Sequence, residues 1–176
     1  MMHGMTGNSE MMRPFAEKVL PEGWNLLVPE AEFSHPTRGY TWWRYEGGDN
    51  PGRRILTAKE LSDVDSSLLK LVNQLPNDEL VLGGFSQGGA MAQELLQFDL
   101  DIKGIITIGT RVVRPLELKS RLTEIEQNNL FWMHGESDHR VSLEAGFGNT
   151  RIIRGSWMGC TQDSAPKGAH DSYRIS

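Results

Sequence analysis

Residues 79–98 read ELVLGGFSQGGAMAQELLQF, and this stretch restricts the fold more than any other. An apolar run, ELVLGGF, leads into a single serine flanked by glycines. A segment with helical character, GGAMAQELL, follows it. Ser86 lies inside Gly84-Phe85-Ser86-Gln87-Gly88, which fits G-x-S-x-G. In that pattern the serine occupies a sharp, strained turn between a strand and a helix. A side chain at either glycine would collide with neighbouring backbone. The turn lifts the hydroxyl clear of the sheet, where a base and a substrate can both reach it. The less demanding reading is a glycine-rich turn whose serine N-caps the next helix. The strand before Ser86 and the helix after it favour the first reading.

The rest of the chain supplies a setting for such a turn. Residues 9–20 (SEMMRPFAEKVL) read as a helix, with Pro14 tolerable only in a first turn and Pro21 ending the pattern. Trp24 to Val28 (WNLLV) is a short apolar run expected to be a buried strand. Residues 33–54 are rich in glycine, proline and aromatics and read as a long loop, a feature that in compact domains usually carries function. Thr57 to Leu75 places Leu61, Val64, Leu68, Leu71, Val72 and Leu75 at helical spacing. Strands are expected over Glu79 to Phe85, Ile102 to Ile108 and Leu130 to Met133, and helices over Gln87 to Phe98 and Leu116 to Ile125. Apolar strands alternating with helices give an α/β class with a parallel sheet covered on both faces. In such sheets active sites gather at the carboxyl ends of the strands. Ser86, the stretch after Ile108, and Asp138 after LFWMHG all end a strand in that way.

Length and charge narrow the function classes. The 176 residues suit one domain, taken over residues 1–176 with 149–176 atypical. A net charge of −5 without clustered basic residues argues against nucleic acid as a partner. No apolar run reaches membrane-spanning length, and MMHGMTGNSEMM lacks the basic-then-apolar order of a signal peptide. Cys160 is the sole cysteine, which excludes an internal disulfide and a cysteine-type metal cluster. A soluble, cytoplasmic protein is expected.

A serine nucleophile needs a base, and the base needs an orienting carboxylate. Of the five histidines, His3, His35, His134 and His139 read as surface or packing residues. Where G-x-S-x-G serves as nucleophile, the chain order is serine, acid, histidine. His170 alone leaves room for a strand-end acid between itself and Ser86. Asp138 in HGESDHRV is the best such acid, on a short loop after a buried strand, with Glu136 in reserve. Stabilising an oxyanion takes two backbone N–H groups. Gln87, directly after the nucleophile, is placed to give one, and Met5 in HGMTGN the other.

Three segments in order, HGMTGN, GFSQGGAMA and HGESDHRV, resemble the phospholipase/carboxylesterase family, a group that includes bacterial carboxylesterases, lysophospholipases and acyl-protein thioesterases. VPEAEFSHPTRGYTWW is similar to that family's stretch after its second strand, and the resemblance covers roughly residues 3 to 147. It implies an α/β-hydrolase fold, a mostly parallel sheet with helices on both faces. It implies a serine hydrolase of carboxylic esters with Ser86 as nucleophile, Asp138 as acid, and Met5 and Gln87 as oxyanion donors, with no metal or cofactor. Trp42 and Trp43 would lie near the acyl pocket or simply pack. The expected partner is a small acyl ester, with a lysophospholipid or acyl thioester also open, as is a homodimer. The chain departs from the family at both ends, and in that sense reads as truncated. Only Met1 and Met2 precede the HG loop, six residues follow His170, and residues 149–176 show neither the helix nor the strand expected there. Those departures support the alternative of a non-catalytic or defective hydrolase-like binding protein.

Overall fold

The computed structural model describes residues 1–46, 55–122, 129–133 and 160–163. Its elements in chain order are α1 (Ser9–Lys18), β1 (Phe33–Ser34), β2 (Tyr40–Thr41), α2 (Ala58–Val72), β3 (Leu80–Phe85), α3 (Gln87–Glu94), β4 (Ile102–Ile108), α4 (Pro115–Leu122), β5 (Asn129–Met133) and β6 (Cys160–Asp163). Strands β3, β4, β5 and β6 pair in that order, every pair parallel. Beyond β3, Met2 adds a parallel bridge to Gly84. Its N–H donates to Gly83 O at 2.8 Å, and Phe85 N–H donates to its carbonyl at 3.1 Å. β1 and β2 form a separate antiparallel hairpin, so the segment read as a loop over 33–54 has a folded stem; residues 47–54 lie outside the described residues.

Apolar residues at helical spacing build the core. Val64, Leu68 and Leu71 of α2 are buried with Ala90, Met91 and Leu95 after the serine, Leu80 and Leu82 of β3, Ile105 of β4, and Leu118 and Leu122 of α4. α1 contributes a smaller cluster, Met12 and Ala16 against Val28. Asn8 caps α1 through Met11 N–H at 2.8 Å. α2 opens on a reciprocal capping box between Thr57 and Glu60.

Several expectations need correction. Pro14 is the sixth residue of α1, well past the first turn. It is exposed, as is Glu10, whose carbonyl loses its helical donor to the proline. Trp24 to Val28 is not a strand. Met2 holds the edge of β3 at Gly83–Phe85, and residues 24–27 and Leu80–Gly83 both line a cavity of about 470 Å³. The Met1 ammonium meets the segment instead, donating to Leu27 O at 2.7 Å. The helix after Ser86 is α-helical only to Glu94 and tightens into a 3₁₀ turn over Leu95–Gln97. Cys160–Asp163 pairs parallel with β5 although its sequence, CTQD, has no apolar pattern.

Candidate active site

The serine turn combines backbone strain with steric exclusion. Ser86 has φ 52° and ψ −117°, a conformation that costs a non-glycine residue about 1–3 kcal/mol and persists only where the surroundings over-determine it. Here they do. Ser86 N–H donates to Ile108 O at 2.8 Å, and Ala90 N–H donates to Ser86 O at 3.1 Å. The hydroxyl of Thr110 donates to that same carbonyl at 2.8 Å. A Cβ at Gly84 would strike the backbone of Gly88 and Gly89, and a Cβ at Gly88 the carbonyls of Met2 and His3. Both motif glycines are therefore required by close backbone approach. Ser86 stands at the N-cap position of α3 but its side chain makes no capping hydrogen bond, so the hydroxyl is not used to cap the helix.

Around this turn the chain's first residues form a wall. Gly4 packs on Phe85, where an added Cβ would lie 2.8 Å from Phe85 Cδ1 and 3.4 Å from Phe85 O. That places Met5 beside the elbow. The loop is pinned at Thr6, whose N–H donates to Tyr40 O at 2.9 Å, and at Gly7, whose carbonyl accepts from Tyr40 N–H at 2.8 Å. His3 is buried beneath it. Its Nδ1 lies 2.8 Å from Gly4 O, and its Nε2 accepts Ala31 N–H at 3.1 Å. Those two partners fix the neutral Nδ1–H tautomer. Burial pushes the imidazole pKa below its ordinary value, opposed by the bond to Gly4 and the nearby Glu30.

Gln87 has a second role that the motif does not announce. Its side chain is buried, with Oε1 accepting Trp42 N–H at 3.0 Å and lying 2.9 Å from the Thr41 hydroxyl. Its Nε2 donates to Trp43 O at 3.3 Å. The residue after the nucleophile thus ties α3 to residues 41–43. Trp42 and Trp43 are both buried in the core, and Trp42 Nε1 donates to His3 O at 2.8 Å. Further out, Asp63 receives Arg44 through its backbone N–H and guanidinium at 2.7–2.9 Å, and Glu60 accepts Glu46 N–H at 2.8 Å. These buried carboxylates fasten the segment after the tryptophans to α2. Asp138, Glu136 and His170 lie outside the described residues, as do His134 and His139. Among the described residues no group of three His, Cys, Asp or Glu side chains is placed to hold a metal ion, and no helix is long and apolar enough to cross a membrane.

The profile of the Phospholipase/Carboxylesterase family matches residues 53–175. The chain belongs to this family. The match takes in the Ser86 motif, Asp138 and His170, and it corrects the expectation that the resemblance ends near residue 147: the tail is inside the family match. Solved structures agree on the α/β-hydrolase fold. Arabidopsis thaliana SOBER1 superposes with a TM-score of 0.69 at 17% identity, covering 98% of this chain and 89% of its own. The Bacillus cereus carboxylesterase gives 0.68 at 18%, covering 97% and 79%. Zea mays acyl-protein thioesterase 2 gives 0.66 at 18%, covering 98% and 85%. No curated protein sequence matches the chain. Within this phospholipase/carboxylesterase fold, Ser86 stands at the carboxyl end of β3 and Thr110 just beyond that of β4, two of the three strand ends at which an active site was expected.

Proposed function

We propose that the chain is a serine hydrolase that cleaves carboxylic esters through an acyl-enzyme. The observation that carries this reading is Ser86 at φ 52°, held in strain with its hydroxyl left free of the helix cap. Strain of that kind is maintained where it positions a reacting group. In the proposed cycle His170 takes the proton from Ser86 Oγ as the oxygen attacks the acyl carbon. The N–H groups of Gln87 and Met5 hold the oxyanion of the tetrahedral intermediate. Collapse expels the alcohol, which leaves with the proton from His170. A water, deprotonated by the same imidazole, then attacks the acyl carbon, and the second intermediate collapses to the carboxylic acid as His170 returns the proton to Ser86 Oγ. Asp138 fixes the imidazole tautomer and stabilises its cation. The substrates proposed are short- and medium-chain acyl esters, with lysophospholipids and acyl thioesters in the same class.

The test is a fluorophosphonate probe with mass-spectrometric mapping, alongside hydrolysis of p-nitrophenyl esters. A single adduct on Ser86, lost on heat denaturation and absent in Ser86→Ala together with the esterase rate, is expected. A folded protein that forms no adduct and turns over no ester would instead be a hydrolase-like binding protein.

A further inference from the structure

The hydroxyl of Thr110 donates to the carbonyl oxygen of Ser86 at 2.8 Å. It also lies 3.3 Å from Arg111 O, but a hydroxyl has one proton to give and the nearer acceptor takes it. Thr110 is 1% exposed. The Ser86 carbonyl belongs to the same peptide unit as the Gln87 N–H. That unit is planar and trans, so its carbonyl oxygen and amide hydrogen point in opposite directions. Whatever fixes the direction of one fixes the direction of the other. A bond accepted at the oxygen also polarises the amide and strengthens the N–H as a donor.

We propose that Thr110 is a positioning residue for catalysis: its hydroxyl aims and polarises the Ser86–Gln87 peptide, whose N–H stabilises the oxyanion. The proposal rests on the serine-hydrolase reading given above. A second observation points the same way. Gly89 lies outside the five-residue motif, so the elbow pattern does not explain it. A Cβ there would sit 2.8 Å from Thr110 Cβ and 3.1 Å from its Oγ1, and 2.9 Å from Gly84 O. The glycine leaves room for the threonine to reach the serine carbonyl. Among the described residues, the other hydrogen bonds to the Ser86 main chain come from backbone, Ile108 O and Ala90 N–H. The threonine hydroxyl is the contact that a substitution can remove alone.

The experiment compares Thr110→Val, which keeps the shape and deletes the hydroxyl, with Thr110→Ser, which keeps the hydroxyl and deletes the methyl. Each is read by kcat and KM on a p-nitrophenyl ester and by the Gln87 amide resonance of the ¹⁵N-labelled protein. Deleting an oxyanion donor outright costs about 10²–10³ in kcat, so weakening one is expected to cost about tenfold or more. KM should stay within about twofold, because the interaction is made in the transition state. The Gln87 amide should move in Thr110→Val, and Thr110→Ser should restore both readouts. A Thr110→Val protein with unchanged kcat, or one whose Gln87 amide does not move, overturns the proposal. So does Thr110→Ser failing as badly as Thr110→Val, which would make the methyl's packing the cause. Where Thr110→Val does not fold, Thr110→Ala removes the same hydroxyl without bulk. If the wild-type chain hydrolyses no ester, the functional reading fails on its own, while the amide resonance still decides whether Thr110 orients the peptide.

Discussion

At the scale of single residues, a buried histidine beside the serine turn makes a claim about pH. His3 accepts a backbone N–H through Nε2, which it can do only while neutral, and burial holds its pKa below the ordinary 6.5. The sign follows from linkage. Below about pH 6.5 the unfolded chain binds a proton on His3 that the folded chain resists, so stability falls as pH drops through that value and is unaffected above it. The Met1 ammonium acts in a neighbouring window, its pKa lowered by burial from 8.0 to about 6. Its contribution therefore rises with pH between about 6 and 8. Thermal melts of wild type and His3→Gln from pH 5 to pH 8 separate the two. The variant is expected to lose the His3 slope below about pH 6.5 and to keep the slope of the terminal amine. Equal slopes below pH 6.5 in both proteins would show that His3 is not titrating against the fold.

Elements whose cause is local were readable in advance, and those whose cause is distant were not. β4 was legible to the residue because IKGIITI is β-branched and continuous between polar ends. Helix α2 was legible from its apolar spacing over Thr57 to Leu75, though it runs over Ala58–Val72 and its Thr57 cap emerged only in the structure. Trp24 to Val28 misled on both counts, since an apolar run dictates neither burial nor a ladder partner: only Val28 is buried, and Leu27 is 39% exposed. Cys160–Asp163 shows the reverse, since CTQD is a strand by pairing alone. The cap of α2 gives a prediction at this scale. Thr57 Oγ1 accepts Glu60 N–H at 3.2 Å, and Glu60 Oε2 accepts Thr57 N–H at 2.9 Å. The same hydroxyl donates to Glu46 Oε2 at 2.8 Å. Thr57→Ala removes the cap and the tie to Glu46 together. A loss of about 1–2 kcal/mol is expected, the upper part of the range for caps. Urea denaturation checks it: the midpoint should fall with the slope unchanged, and a midpoint equal to wild type would mean that the box does not hold α2.

At the scale of the whole molecule, sequence could find the serine turn because its requirements are packed into a few consecutive residues. It could not find Thr110, the Gln87 side-chain bonds or the carboxylates of α2, whose partners are brought together by the sheet crossover and the loop before α2. The same is true of the partly buried arginine that joins three helices. Arg114, at the start of α4, reaches Glu94 of α3 and Asp65 of α2, each at 2.6 Å. Its backbone N–H donates to Glu94 Oε1 at 3.3 Å, and the Glu94 side chain is 1% exposed. Burial pushes the Glu94 carboxyl pKa up, and Arg114 pulls it back. Arg114→Ala would leave that carboxylate buried without its cation, a change that typically costs about 3–5 kcal/mol. For a domain stable by roughly 5–15 kcal/mol this is a large fraction. The loss should also depend on pH. Without Arg114 the folded-state pKa of Glu94 rises further above its unfolded value, so the variant loses stability as pH climbs above about 4.5 and recovers part of it in acid. Adding Glu94→Gln to Arg114→Ala removes the charge and should recover much of the stability at neutral pH, with the pH dependence flattened. Chemical denaturation of the single and double variants at pH 5 and pH 8 tests this, and a double variant no more stable than Arg114→Ala would assign the cost to lost arginine packing instead of an uncompensated carboxylate.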